Sequence, residues 1–184
     1  MVIIGVDPGK SGAIVVMLDG RLHKKFMIPT LGKVVDVPVL RMIFENIKYE
    51  FIAEFDKGEV FAVIEQVHAI FGCGAGTTFE FGRIFGMLEI AVAQFKYVEV
   101  PPKTWQKLMF LGIPEIRKPG KEYTKKDGTK AIRQGSLKTK EMALVAVKRL
   151  FPEVDLRATE RSKIFHDGLV DALLLAEYAR RTFS

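Results

Sequence analysis

The chain opens with Val2-Ile3-Ile4-Gly5-Val6-Asp7-Pro8-Gly9, the stretch that decides how the rest of it folds. Its run of aliphatic, mostly β-branched residues is typical of a buried strand, and Pro8-Gly9 ends that strand directly after an aspartate. A second apolar run covers residues 12–18, Asp19-Gly20 is a hairpin turn signal, and a third strand is expected over 21–28. Because the connections are short, we expect these three strands to form an antiparallel meander.

After residue 28 the hydrophobic pattern changes to alternating helices and strands. Apolar spacing predicts helices over about 39–55, 77–95, 136–151 (capped by Ser136) and 167–181, with a short helix after Pro101-Pro102. Apolar runs over 60–67 and 97–100 predict two further strands. The order implies an α/β fold: one domain over residues 1–184, with a mixed five-stranded sheet flanked by helices.

Composition limits the classes of protein to which the chain can belong. A hydrophobic content of 48% in 184 residues is enough for one well-packed domain and argues against disorder across the chain. The apolar runs are too short to span a bilayer, and the N-terminus lacks the basic region of a signal peptide. One cysteine, Cys73, cannot form an internal disulfide. We therefore expect a reduced, intracellular protein that does not associate with a membrane.

The net charge of +6 is concentrated in one segment. Residues 117–140 hold nine Lys or Arg and two acidic residues, a charge of +7, so the remaining chain sums to −1. Residues 112–135 are rich in Gly, Lys and Pro without periodicity, which predicts a mobile basic loop. The segment is either a solvated loop or a surface for the phosphate backbone of DNA, and both hold if it orders only on DNA. Its predicted DNA contacts are Lys118, Lys125, Lys126, Lys130 and Arg133.

Four carboxylates lie where this architecture would bring them together. Asp7 ends the first strand, Glu65 ends the fourth, and Asp167 and Asp171 share a face near the start of the last helix. Hard oxygen ligands of this kind suit Mg²⁺ or Mn²⁺, and two such ions about 3.5–4 Å apart can support phosphodiester hydrolysis. Each acid also has an ordinary interpretation: a turn, a strand end that reaches solvent, or a helix cap.

Three motifs resemble the RuvC family of Holliday junction resolvases, in particular its phage-encoded members. They are Gly5-Val6-Asp7-Pro8-Gly9, Val63-Ile64-Glu65-Gln66 and His166-Asp167-Gly168-Leu169-Val170-Asp171-Ala172-Leu173. The resemblance implies a ribonuclease H-like fold, a homodimer, and Mg²⁺-dependent symmetric nicking of four-way DNA junctions. It also implies a bacterial cytoplasmic location for the protein, whether the gene is the host's or a phage's. Asp7, Glu65 and Asp171 match the catalytic acids of the family.

The fourth catalytic position departs from the bacterial pattern. Bacterial members often place an acid or a histidine three residues before the last aspartate, where this chain has Gly168. Asp167, four residues before Asp171, reaches the same helix face, and we assign it as the fourth metal ligand. His166 is either a helper in catalysis or a polar residue at the helix start.

Other residues are interpreted as contacts to DNA or to a second subunit. Phe71 is the predicted wedge into the junction, and Arg83, Lys103 and Lys107 are predicted phosphate contacts. Phe85 and Trp105 are interpreted as core, whereas Phe79 and Phe81 are either core or base-stacking residues. The helix over 77–95, in which Gly82 and Gly86 permit close approach, is either the predicted dimer interface or a helix that packs only on its own sheet.

Three other functions remain open at this point. An actin-like or sugar-kinase-like ATPase needs two similar domains and a second glycine-rich motif, for which 184 residues are too few. A non-catalytic nucleic-acid-binding module predicts that some of the acids are missing. A nuclease acting on flaps or RNA–DNA hybrids would keep the same acids, so the sequence separates it least well from a junction resolvase.

Overall fold

A computed structural model describes residues 1–54, 60–67, 72 and 74–183. Its regular elements follow in chain order. They are β1 (Val2–Asp7), β2 (Ala13–Leu18), β3 (Arg21–Met27), β4 (Thr30–Leu31), β5 (Val34–Val35), α1 (Val37–Lys48), β6 (Val60–Glu65), α2 (Ala75–Val92), β7 (Lys96–Val100), α3 (Pro102–Met109), β8 (Lys121–Thr124), β9 (Lys130–Arg133), α4 (Thr139–Leu150) and α5 (Asp167–Phe183). A π-helical segment, Tyr49–Glu54, extends α1.

The main sheet has five strands in the order β3-β2-β1-β6-β7. The first three strands pair antiparallel, whereas β6 lies parallel to β1 and β7 parallel to β6. The predicted mixed five-stranded α/β sheet is therefore confirmed. Since consecutive parallel strands need crossover connections, the helices between them cover the sheet faces.

Strand periodicity sorts the interior into two cores, one on each face of the sheet. Val2, Ile4 and Val6 of β1 pack in the core that α1 and α2 cover. Ile3 packs against α3, α4 and α5 together with Val15 on β2 and Val63 on β6, the two cross-strand partners of Gly5. Asp7 and Glu65 have the same parity as Ile3 and Val63, so the alternation of a strand directs both carboxylates to the α5 side.

Helix α5 approaches β1 at the distance of backbone contact. A Cβ atom added to Gly5 would lie 2.1 Å from the Ala172 carbonyl oxygen and 2.9 Å from Ala176 Cβ. Only glycine fits on the strand, and the small side chains of Ala172 and Ala176 complete the contact from the helix. This contact determines how far the Asp171 carboxylate, one residue before Ala172, lies from the end of β1.

The predicted loop over 112–135 contains a β-hairpin, so the expectation of a segment without regular structure is wrong. Strands β8 and β9 pair antiparallel, and Arg117 bridges to Leu137 below them. At this base a Cβ on Gly135 would lie 1.9 Å from the Lys118 carbonyl oxygen. The hairpin is held by backbone pairing and lies outside both cores, so it leaves no hydrophobic period in the sequence. Whether it moves stays a prediction.

Smaller departures concern helix ends. The predicted helix over 39–55 changes from α to π geometry after Lys48. Ser136 does not cap α4, which begins at Thr139 without a side-chain cap.

Among the described residues, no helix is long and apolar enough to cross a membrane.

We predict that Gly5→Ala destabilises the fold. The added methyl must displace either the Ala172 carbonyl or the whole of α5, and overpacking of this kind costs about 1–3 kcal/mol or more. The midpoint of urea unfolding should fall accordingly. Gly76→Ala, on α2 where no described atom lies within 4 Å of an added Cβ, is the control and should leave the midpoint unchanged or raise it slightly. Equal midpoints for the two variants would contradict the proposed role of Gly5.

Candidate active site

The four predicted acids lie at one edge of the sheet, around the start of α5. Asp7 ends β1 and Glu65 ends β6. Because Val6 pairs with Ile64 in parallel register, the next residue of each strand brings these two carboxylates side by side. Asp171 approaches from α5 after one further turn of helix from Asp167. The structure thus gathers the predicted residues, although their catalytic role stays a prediction.

Burial and mutual repulsion give these carboxyl groups unusual acidities. Burial, followed by the charges of Asp171 and Glu65, holds the pKa of Asp7 well above its ordinary value. Burial, followed by the charges of Glu65 and Asp167, raises the pKa of Asp171 to about 7. Burial also raises the pKa of Glu65. Shifts of this kind in neighbouring acids are typical of functional sites, because catalysis and metal binding use groups whose acidity is displaced.

Asp167 occupies the rim of the cluster and is paired with Lys140. The Lys140 ammonium donates a hydrogen bond to Asp167 Oδ2, and 57% of the Asp167 side chain is exposed. This bond, together with the charges of Asp167, Asp171 and Asp7, raises the pKa of Lys140. The sequence drew attention to Lys140 only as part of a charge run. Its position in the first turn of α4, opposite the acids, emerges from the fold.

Gly168 explains why the fourth acid is displaced by one residue. A Cβ at this position would lie 2.7 Å from the Ser11 carbonyl oxygen and 3.0 Å from Asp7 Oδ2. The turn between β1 and β2 therefore leaves no room for an acidic or histidine side chain three residues before Asp171. Asp167 reaches the cluster from the preceding helix position instead.

The donor chemistry of the cluster fits a hard divalent cation. Four carboxylates supply oxygen ligands, and a cation would relieve the repulsion that raises their pKa values. Within the described residues, however, no three acidic, histidine or cysteine side chains already converge on one point suited to a metal ion. The two observations agree because charges act over longer distances than coordination does. A metal would require these side chains to rotate toward each other and Asp167 to release Lys140.

His166 lies beside the cluster, but no contact with the acids assigns it a role. Its backbone N–H donates to the Leu156 carbonyl at 2.8 Å and its carbonyl accepts from Val170, which fixes the start of α5. In the described part of the chain, its buried Nδ1 has no hydrogen-bond partner. Catalytic help from His166 therefore stays a prediction.

The predicted DNA-contacting lysines are all exposed. Lys103 and Lys107 lie one turn apart on α3, on the side opposite the buried Trp105 and Met109. The hairpin residues are equally accessible, and Arg133 lies over the Tyr123 ring, 5.5 Å from its centroid. The exposed predicted contacts in the basic segment are Lys118, Lys125, Lys126, Lys130 and Arg133.

The structure shows the environment of three of the aromatic residues and of Arg83. Phe85 packs against the α1–α2 core and Trp105 is buried, so both are core residues as expected. Phe79 is 73% exposed. Arg83 pairs with Glu80 through two hydrogen bonds and would have to leave it to meet a phosphate. Phe71, the predicted wedge, and Cys73 lie outside the described residues.

We predict that Asp171→Asn stabilises the protein in metal-free buffer. The folded state raises the pKa of Asp171 from 3.8 to about 7, so ionisation opposes folding. That penalty is absent below about pH 4, grows as pH rises toward 7, and then levels off at several kcal/mol. Thermal unfolding of the variant and the wild type between pH 4 and 8 should show a difference in Tm that increases over this window. A difference independent of pH would rule out this electrostatic origin.

Comparison with known proteins identifies the fold. No protein-family model and no curated sequence matches the chain. Two solved structures are similar to the chain over nearly its whole length. Thermus thermophilus RuvC alone has a TM-score of 0.58 and 18% sequence identity, and the match covers 100% of this chain and 97% of that chain. T. thermophilus RuvC in complex with a Holliday junction substrate has a TM-score of 0.57 and 17% sequence identity, and the match covers 98% of this chain and 95% of that chain. Whether the chain is of the phage type stays a prediction. The five-stranded mixed sheet with its flanking helices is a RuvC-like, ribonuclease H-like fold.

Proposed function

We propose that this protein is a divalent-metal-dependent endonuclease that resolves four-way DNA junctions by paired, symmetric nicks. The observation that carries the proposal is the acid cluster at one edge of a RuvC-like sheet, where burial and then the charges of neighbouring acids raise the pKa values of half-buried Asp7 and Asp171. A similarly folded protein has been solved with a Holliday junction substrate. A non-catalytic module would have no use for so unfavourable a cluster.

The proposed ligands are Asp7, Glu65, Asp167 and Asp171. When bound, Mg²⁺ or Mn²⁺, two ions to a site, would activate the attacking water and stabilise the leaving oxygen of the phosphodiester. The protein contributes the oxygen ligands and their orientation. Lys140, on the rim of the same cluster, has an exposed side chain that can exchange Asp167 for a phosphate oxygen of the substrate.

The basic hairpin is the proposed surface for the DNA arms. Its two strands lie outside both cores, and its lysines are exposed to solvent. Asp127 accepts two hydrogen bonds from Thr129 in the turn between the strands. This turn presents Lys125 and Lys126, and Lys130 begins β9. Exposed Ile132 gives the same hairpin an apolar side chain that can meet sugar or base edges.

We further propose a homodimer formed through α2. Phe79 and Ile90 are 73% and 79% exposed, and they lie on one helical face with Gly82 and Gly86. No described atom outside the helix's own backbone comes within 4 Å of a Cβ added to either glycine, so the described part of the chain does not cover this face. A two-fold dimer matches the approximate two-fold symmetry of a four-way junction and provides one acid cluster for each nick. An apolar groove beside this face is lined by Val37, Leu40, Phe44, Met87 and Ile90.

We predict that Asp7→Asn abolishes cleavage while junction binding survives. A hard anionic ligand is lost from the metal site, whereas the basic hairpin is unchanged. Gel-shift and cleavage assays should use the same synthetic four-way junction, with a duplex, a flap and an RNA–DNA hybrid beside it. Wild type should prefer the junction and should linearise a cruciform plasmid.

Three results would count against the proposal, each in a different way. Near-normal cleavage by Asp7→Asn would show that the acid cluster does not carry out catalysis. Preferential cleavage of the flap or the hybrid would show that the protein is a nuclease with a different substrate. Single unpaired nicks in the cruciform plasmid would contradict the paired dimer.

We also predict that the double variant Lys125→Gln/Lys126→Gln weakens junction binding and its salt dependence. Each lost phosphate contact should lower the slope of log K against log salt by about 0.9 on duplex arms, so two contacts lower it by about 1.8. Lys33→Gln/Lys48→Gln is the control, because it removes the same charge from the β4–β5 turn and the end of α1. A slope that falls equally in both variants would indicate an effect of net charge rather than a contact by the hairpin.

A further inference from the structure

Trp105 touches the acid cluster from inside the protein core. Its indole Nε1–H donates a hydrogen bond to Glu65 Oε1 at 2.8 Å, and only 1% of the residue is exposed. This hydrogen bond is the one that the Glu65 side chain makes within the described residues. Trp105 is also the single tryptophan of the chain. A core residue thus holds one oxygen of a proposed metal ligand, and the other oxygen has no hydrogen-bond partner among the residues that the structure describes.

The strand pairing holds this contact in place. Glu65 pairs with Val100 at the end of β7, and the Gln66 N–H donates to the Val100 carbonyl at 2.9 Å, which secures the end of β6. Helix α3 begins two residues later and carries Trp105 in its first turns. The indole packs against Phe110 in an edge contact, with ring centroids 6.0 Å apart, so its N–H has little freedom to turn away.

The chemistry of the indole gives the bond a direction. An indole N–H can only donate, so it stabilises an accepting carboxylate oxygen. Burial is the largest influence on Glu65 and raises its pKa, while the bond from Trp105 acts in the opposite sense. A group behind a metal ligand that fixes the ligand's orientation typically changes metal affinity by about 10–100-fold when removed.

We propose that Trp105 is a positioning residue that orients Glu65 toward the divalent cation, an inference that rests on the proposed metal-dependent function. The indole holds Oε1 on the core side and so turns Oε2 toward Asp7 and Asp171. Trp105 does not contact the substrate. Its removal weakens metal binding and leaves the rate at saturating metal largely intact.

The main test compares Trp105→Phe with wild type by calorimetric titration with Mn²⁺ and by the metal dependence of junction cleavage. Phenylalanine keeps an aromatic ring in the core and removes the N–H donor. We expect the Mn²⁺ dissociation constant and the half-saturating concentration for cleavage to rise together by about 10-fold or more. Phe110→Leu is the control, because it loosens the same aromatic contact without touching Glu65. An unchanged affinity in Trp105→Phe, or an equal loss in Phe110→Leu, would overturn the proposal.

A second measurement uses the wild-type protein and does not depend on a variant that folds. The single tryptophan gives one indole N–H resonance, which titration with Mg²⁺ should shift with the same midpoint as metal binding. A resonance that does not move while Mg²⁺ binds would overturn the inference about Trp105 and leave the proposed function standing. A wild-type protein that neither binds the cation nor cleaves the junction would overturn both.

Discussion

The contact between α5 and β1 at Gly5 is the constraint on which the site depends. The helix can lie this close only because the strand has no side chain there and the helix offers Ala172 and Ala176. Dispersion and burial along this contact stabilise an arrangement that also brings Asp171 to the end of β1, next to Asp7. Packing of the core and crowding of the acids are therefore two results of one contact. A looser helix would relieve the repulsion, but it would also open the interior.

The acids remain together because neighbouring groups compensate part of their repulsion. Lys140 neutralises the most exposed acid, Asp167, and its pKa rises through that pairing. Trp105 donates to Glu65 from the core. No described cation pairs with Asp7 or Asp171, so burial and like charge hold their pKa values high. A bound cation would relieve the remaining repulsion between these acids, as the proposed function requires.

Opposite charges are separated within a small domain. The acids lie at an edge of the central sheet, whereas the basic excess lies in residues 117–140, a segment that includes a hairpin held outside both cores by its own backbone pairing. A polyanionic backbone can approach the acid site only if other surfaces compensate its repulsion. Lys103 and Lys107 on α3 add a second basic surface. Both lysines face solvent, whereas Trp105 between them faces inward. One short helix thus presents basic residues on one side and orients a carboxylate on the other.

The sequence by itself determined the elements and their order, because hydrophobic periodicity is a local property that survives without tertiary context. It also determined which acids would lie near each other. Strand parity places Asp7 and Glu65 on one face of the sheet, and helical spacing places Asp167 and Asp171 on one face of α5, which packs against that sheet face. Only the tertiary structure decided the rest, since it depends on contacts between segments distant in sequence. Gly168 excludes an acid because the β1–β2 turn occupies its Cβ position, Lys140 meets Asp167 across 27 residues, and Trp105 reaches Glu65 across 40. The hairpin over 121–133 could not be predicted either, because its pairing buries no apolar face and so leaves no hydrophobic pattern in the sequence.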